Sequence, residues 1–217
     1  MKTADVVQGA TPSLSTCASG LSSERWLGLS FRMLLPWSID GLSVEFGTLD
    51  DALAFINLHY TGFFGIDAED GRWLSDPLTP AKKRFLSSSD VFLLKDEQEL
   101  VGIMIGEPAD WQRYYIRTLS LLPKYRGRSL VPRLFARLGN ALKSAGVSTI
   151  EGDVSPVNVA NVLTQTKLGA VVTGTTHTVR WGSLLHFTIF LDPDADAVFR
   201  RQYCAGQMER CRSSVAD

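Results

Sequence analysis

The chain alternates short apolar runs with polar, turn-forming stretches, and the apolar period changes from one segment to the next. LSVEF, residues 42–46, carries β-type residues. Thr48 then precedes LDDALAFINLHYTGFFG, in which Leu49, Ala52, Leu53, Ile56 and Tyr60 recur at helical spacing. A threonine cap with acidic residues in the first turn favours a helix start there. DVFLLK and ELVGIMIGEP, separated by the polar Asp96, Glu97 and Gln98, have the pattern of a hairpin, and YYIRTLSLL reads as a third strand.

Between Ser129 and Ala145 the stripe is stronger. Leu130, Leu134, Leu138 and Leu142 fall four apart, widened by Val131, Phe135, Ala141 and Ala145, while Arg133, Arg137, Asn140 and Lys143 lie off it. This predicts an amphipathic helix packed on a sheet and closed by Gly146. TIEGDV predicts a further strand, NVANVLTQTKLGA a short helix ending at Gly169, and AVVTGTTHTVRW with SLLHFTIFLDP a final hairpin. Strand, helix, loop, three strands, helix, strand, helix, two strands is the order of a mixed α/β to α+β domain.

That domain spans 42–191. Residues 1–25 are rich in Ser, Thr, Ala and Gly without an apolar period, the composition of a mobile tail. Residues 26–41 form a lead-in whose apolar WLGLSFRMLLPW can cover a core edge or dock on a partner subunit, which allows a homodimer. GIDAEDGRWLSDPLTPAKK, with Pro77 and Pro80, reads as a long loop with room for one turn of helix, of the kind that often carries function. Residues 192–217 read as a helical extension with Cys204 and Cys211 on one face.

Composition narrows the function classes. Lys plus Arg number 22 against 23 Asp plus Glu, so nothing in the charge balance suits nucleic acid. No window approaches the roughly 18 consecutive apolar residues of a membrane span, and the N-terminus lacks the apolar block of a secretory signal. A cytoplasmic protein is expected. Cys17, Cys204 and Cys211 are odd in number, without a CxxC pair or a histidine-rich partner segment, so reduced thiols and no metal site are expected.

The stretch with the most chemistry is LSLLPKYRGRSLVPRLF, residues 119–135, where a strand runs through Pro123 into a basic, glycine-containing turn that opens the strongest helix. A helix start presents unpaired N–H groups and the positive end of its dipole, which together attract phosphate oxygens. Gly127 allows close backbone approach, Lys124, Arg126 and Arg128 add charge, and Ser129 can cap the helix or bond a phosphate. Pro132 then falls in the first turn, where its missing N–H costs no helical hydrogen bond. The competing reading is a solvated loop kept soluble by its arginines. Neither GxxxxGK[ST] nor a GxGxxG after the first strand is present.

The same stretch resembles the pyrophosphate loop of the GNAT superfamily of acyl-CoA-dependent N-acyltransferases, [Q/R]-x-x-G-x-[G/A], with Lys124, Gly127 and Ser129 at the three defined positions. NVANVLTQTKLGA, residues 158–170, is similar to the family's later N-x(9)-LGF segment, and the resemblance covers about residues 42–191. It implies a central mixed, mostly antiparallel sheet flanked by helices, with acetyl-CoA or another acyl-CoA as co-substrate. Leu119, Ser120 and Leu121 would pair with the pantetheine arm as an added strand would. Arg126, Gly127, Arg128, Ser129, Leu130 and Val131 would cradle the pyrophosphate. Asn158 would bond the pantetheine or help position the acceptor, beside its local role as a helix cap.

The resemblance also implies an amine acceptor on a small molecule or peptide. An alkyl ammonium of pKa ~10.4 is deprotonated about once in ~2,500 at pH 7, so a base must offset roughly 4–5 kcal/mol. Many relatives place a tyrosine for the leaving thiolate where this chain has Gln165, whose amide donates a hydrogen bond but no proton. Tyr114 and Tyr115 are alternative donors. Some relatives carry a glutamate on the strand before the loop, where RYYIRT here has no carboxylate. Glu107 on the preceding strand and Asp153 or Glu151 on the next, the last two on one strand face, are the substitutes. His59 stands near the acceptor side, and Phe63, Phe64, Trp73 and Trp111 are candidates for an apolar acceptor pocket. His177 and His186 have no ligand spacing. The competing function is a CoA-binding sensor or interaction module that has lost turnover; transfer of a longer acyl chain is a third.

Overall fold

The structure is a computed structural model that describes residues 35–59, 79–178 and 181–204. Its centre is an eight-stranded sheet in the order β1-β2-β3-β4-β5-β6-β8-β7. The strands are β1 (Trp37–Ile39), β2 (Leu42–Phe46), β3 (Asp90–Asp96), β4 (Glu99–Pro108), β5 (Arg113–Leu121), β6 (Thr149–Val154), β7 (Val171–Thr178) and β8 (Gly182–Phe190). Every neighbouring pair is antiparallel except β5 with β6. The helices are α1 (Leu49–Leu58), α2 (Pro80–Leu86), α3 (Leu130–Ser144), α4 (Val159–Lys167) and α5 (Pro193–Phe199). The expected mixed, mostly antiparallel sheet with flanking helices is what forms.

Local chemistry sets most boundaries. Thr48 caps α1 in a full capping box, its hydroxyl accepting from Asp51 N while the Asp51 carboxylate accepts from Thr48 N at 2.9 Å. Thr79 caps α2, with Pro80 at the first helical position. Gly146 and Gly169, at φ +84° and +83°, follow α3 and α4 in the left-handed conformation that glycine adopts without a Cβ penalty.

The sheet begins at Trp37, inside the segment read as a lead-in, because β1 pairs with β2 and the Trp37 ring stacks on Phe92 at 6.2 Å between centroids. Residues 1–34, and with them Cys17, lie outside the described residues, as do Phe63, Phe64, Trp73 and Cys211. Among the described residues no helix is long and apolar enough to cross a membrane.

Among the described residues, the two larger of three apolar clusters cover the two faces. On one, the leucine stripe of α3 packs as its spacing predicts: Leu134, Leu138 and Leu142 are wholly buried against Phe92, Met104, Tyr114 and Ile150. On the other, Ala52, Phe55 and Ile56 of α1 cover Val91, Leu93, Ile103 and Ile105. Ile103 and Ile105 point to the α1 side while Met104 points to α3, so alternation along β4 places Glu107 on the α1 side.

Where β4 meets β5 the register slips: Ile105 pairs with Thr118 but Gly106 with Ile116, leaving Arg117 as a bulge. A bulge bends and twists its strand. Gly106 is required here, because a Cβ on it would stand 2.4 Å from the ring of Tyr114. That ring is fully buried, and its hydroxyl donates to Asp90 at 2.8 Å, which fixes the sheet just ahead of the bulge.

Candidate active site

Past the bulge the sheet splits. β5 pairs with β6 only through Arg113–Thr149, Tyr114–Ile150 and Tyr115–Glu151, whereas β5 stays paired with β4 as far as Leu121. Among the described residues, no strand pairs with the other edge of β5 from Ile116 onward. Gly152 stands at the fork; a Cβ there would come 3.3 Å from the Ile116 carbonyl. The predicted pantetheine-binding residues Leu119, Ser120 and Leu121 lie along this open edge. One of their groups is already used: the Leu121 carbonyl accepts from Arg126 Nε at 3.0 Å.

At the mouth of the split the chain makes a 3-10 turn, Pro123–Tyr125, and enters α3 through Arg126, Gly127, Arg128 and Ser129, all exposed. Gly127 has φ +75° and open space where a Cβ would stand. Ser129 does not cap α3. It takes a left-handed conformation, φ 57°, and its side chain makes no cap hydrogen bond. The first helical bond runs from Arg133 N to Ser129 O, and among the described residues no backbone acceptor meets the N–H groups of Gly127 through Val131. The first turn of α3 holds no acidic residue either. Among the described residues, the positive end of this fifteen-residue helix thus presents a run of backbone donors with no acidic side chain in its own first turn. Positive φ at Gly127 and Ser129 is the backbone form that turns successive N–H groups toward one concavity.

The cations around this turn differ in availability. Lys124 is held by Glu99 at 2.9 Å, so it is tied down on the strand side of the turn. Arg128 lies over the Tyr125 ring, 5.1 Å from its centroid, while the Tyr125 hydroxyl donates to Asp96 at 2.6 Å. Asn158 does cap α4, accepting from Asn161 N at 3.1 Å. Gln165 shares its helix face and donates to Asn161 Oδ1 at 3.3 Å.

The carboxylates converge on the α1 side of the fork. Glu107, Tyr115 and Glu151 are in cross-strand register on β4, β5 and β6. Glu107 is ion-paired with Arg117, the bulge residue, and accepts from Ser89 at 3.0 Å. Asp153, two residues beyond the last β5–β6 pair, accepts from the Tyr115 hydroxyl at 3.1 Å and stands 2.8 Å from His186 Nδ1. His186 Nε2 lies 3.5 Å from Glu151, which is 8% exposed and also faces Arg113. Glu107 and Asp153 therefore occupy opposite banks of the split.

His186 is the member that sequence reasoning missed. It is 33 residues from Asp153, and only the antiparallel register Asp153–His186 between β6 and β8 brings the two side chains together. The alternation of SLLHFTIF, which sets His186 on the face opposite Leu185, Phe187 and Ile189, was its one signal. His177 pairs instead with Ser183, His59 packs edge-on against Phe55, and Trp111 is 73% exposed. Among the described residues, no group of three or more His, Cys, Asp or Glu is arranged to hold a metal ion.

Burial, reinforced by the Asp153 charge, pushes the Tyr115 hydroxyl from 10.0 up to about 12. Tyr114 is also held well above the ordinary tyrosine value, chiefly through burial. From about pH 10 the unfolded chain loses tyrosyl protons that the native protein keeps, so stability is expected to fall as pH rises from ~10 to ~12. Denaturant titrations across that window should give a shallower decline for Tyr115→Phe than for the unmodified protein; equal slopes would remove Tyr115 from the account.

A sheet divided between two parallel strands, with unpaired helix N–H groups at the mouth of the division, defines an α/β domain suited to an extended ligand that carries phosphate. The acetyltransferase (GNAT) family model matches residues 53–169, and the chain belongs to that family. No curated protein matches it in sequence. In fold it is similar to a GNAT family acetyltransferase from Elizabethkingia anophelis with acetyl-CoA bound, at 13% identity over 70% of this chain and 99% of that one, TM-score 0.50. Ard1 from Thermoplasma volcanium is similar at 12% identity over 69% and 97%, TM-score 0.53. A spermidine N-acetyltransferase chimera from Vibrio cholerae is similar at 13% over 70% and 96%, TM-score 0.52. At these identities the likeness is one of fold.

Proposed function

We propose that the protein transfers an acetyl group from acetyl-CoA to a primary amine of a small molecule or peptide by direct attack. The observation that carries this reading is the run of N–H groups from Gly127 to Val131, which meets no backbone acceptor among the described residues and lies at the mouth of the split between β5 and β6. A diphosphate satisfies these donors and the helix dipole together. Its pantetheine arm, extended and amide-bearing, fits the unpaired edge at Leu119–Leu121. Arg126 and Arg128 supply flanking charge, and Asn158 and Gln165 line the approach from α4.

In this reading the thioester lies at the fork and the amine arrives over the α1 side, between the banks held by Glu107 and Asp153. Asp153 takes the ammonium proton. Glu107 is the lesser base, because its partner Arg117 keeps its own proton and cannot pass one on. Unpaired N–H groups on β5 face the oxygen that gains charge when the amine adds. The thiolate, of pKa ~8.5, leaves with solvent help, since Gln165 has no proton to give. The catalytic domain, read from the sequence as 42–191, starts with β1 at Trp37, and residues 192–217 are its extension, in a cytoplasmic protein whose cysteines stay reduced.

The test is calorimetric titration with acetyl-CoA beside thiol release against a panel of small amines and peptide N-termini. Binding with amine-dependent thiol release is expected. Binding without release from any amine would favour the sensor, the reading that Gln165 supports; no binding would end both.

A further inference from the structure

The pairing of Asp153 with His186 gives this site a proton path that Glu107 lacks. A base that takes a proton from an ammonium must lose it again before the next turnover. Both oxygens of Asp153 are engaged: Oδ2 accepts from the Tyr115 hydroxyl, and Oδ1 stands 2.8 Å from His186 Nδ1. Tyr115 keeps its proton across the physiological range, its pKa being pushed to about 12, so it orients Asp153 without draining it. His186 is different. Its two ring nitrogens face two carboxylates, Nδ1 toward Asp153 at 2.8 Å and Nε2 toward Glu151 at 3.5 Å, and a quarter of the side chain (25%) stays exposed.

We infer that His186 is the relay by which the amine proton leaves the site, a role that rests on Asp153 acting as the base. In the tautomer that carries its proton on Nε2, directed at Glu151, the Nδ1 lone pair accepts from the Asp153 O–H once Asp153 has taken the amine proton. The ammonium N–H bond breaks as the proton passes to Asp153, and the Asp153 O–H bond breaks as the proton passes to Nδ1. Asp153 is again a carboxylate, and the imidazolium stands between two negative charges. Loss of a proton from His186 to solvent water restores the starting state, so one proton enters and one leaves.

The groups around the ring fit this path. From β6 come Asp153 and Glu151. From β7 the register partner is Gly174, so that strand presents no titratable side chain opposite the ring. From β5, Tyr115 and Arg113 act at one remove, through Asp153 and Glu151. Arg113 also pairs with Asp110 at 2.5 Å, which divides its charge between two carboxylates and keeps Glu151 from being wholly neutralised. His186 touches no reacting atom and is therefore a positioning residue with a transport role.

The test is a set of pH–rate profiles for the full-length protein, His186→Asn and His186→Gln, with Asp153→Asn in parallel and thermal melts to confirm folding. Asn keeps an amide near Nδ1 and Gln one near Nε2, but neither carries a proton onward. For both His186 variants kcat at pH 7 should fall about 10²-fold. Acetyl-CoA affinity and amine KM should stay near those of the unmodified protein, the deficit should narrow toward pH ~10 where the amine is neutral unaided, and added imidazole should restore part of the rate. An unchanged kcat, or a loss equal at every pH and unmoved by imidazole, overturns the relay. A slow Asp153→Asn beside fast His186 variants overturns the relay alone; an Asp153→Asn as fast as the unmodified protein overturns the base assignment and the relay with it.

Discussion

Gly127→Trp is expected to weaken acetyl-CoA binding by about 10²–10⁴-fold while the protein remains folded. Hydrogen bonds to a charged group contribute about 1.5–3 kcal/mol each, so loss of two reaches that range. The indole would fill the concavity that the backbone now leaves open, since nothing stands within 4 Å of the position a Cβ would take. A second effect must be separated from the first: Gly127 sits at φ +75°, where a side chain costs roughly 1–2 kcal/mol of strain. Gly127→Ala carries the same strain without the bulk. Calorimetry should find the alanine variant close to the unmodified protein and the tryptophan variant beyond measurement. Equal affinity in all three would mean that the diphosphate is held elsewhere.

Asp153→Asn is expected to lower kcat by about 10²–10⁴-fold at pH 7 with acetyl-CoA affinity unchanged. The substitution keeps the shape of the side chain and an oxygen for the Tyr115 hydroxyl, so the fork retains its walls. It removes the group that accepts the amine proton. The loss should shrink as pH approaches ~10.4, because the fraction of neutral amine rises tenfold with each pH unit below that value. Glu107→Gln serves as the comparison: it stands on the other bank, bound to Arg117 and Ser89, and its kcat should fall less. A larger loss for Glu107→Gln than for Asp153→Asn would exchange the two roles.

Some of this was legible residue by residue. The leucine stripe of α3 identified its buried face, because a helix of 3.6 residues per turn stacks positions four apart. Thr48 and the acidic residues after it announced α1, and the structure closes Thr48 and Asp51 into a capping box that needs only neighbours in sequence. Asn158 is the same case, a cap satisfied within its own first turn. Ser129 had the residue type of a cap and does not act as one. The turn from Gly127 to Ser129 takes positive φ twice, and the serine side chain makes no bond to the helix N–H groups. Residue type shows what a side chain can bond; backbone conformation decides whether it does.

The sequence by itself determined the order of the elements from Leu42 to Phe190 apart from the helix at Pro80–Leu86, the buried stripe of the principal helix and the basic glycine turn at its start. These depend on local dihedral preference and on periodic burial, both of which are written in short stretches of chain. Only the tertiary structure decided that Arg117 bulges, that β5 and β6 part after Tyr115 and Glu151, and that Asp153 meets His186. Each of those depends on strand register between segments far apart in sequence. A one-residue slip in register leaves the local pattern of a strand unchanged but turns every side chain to the opposite face.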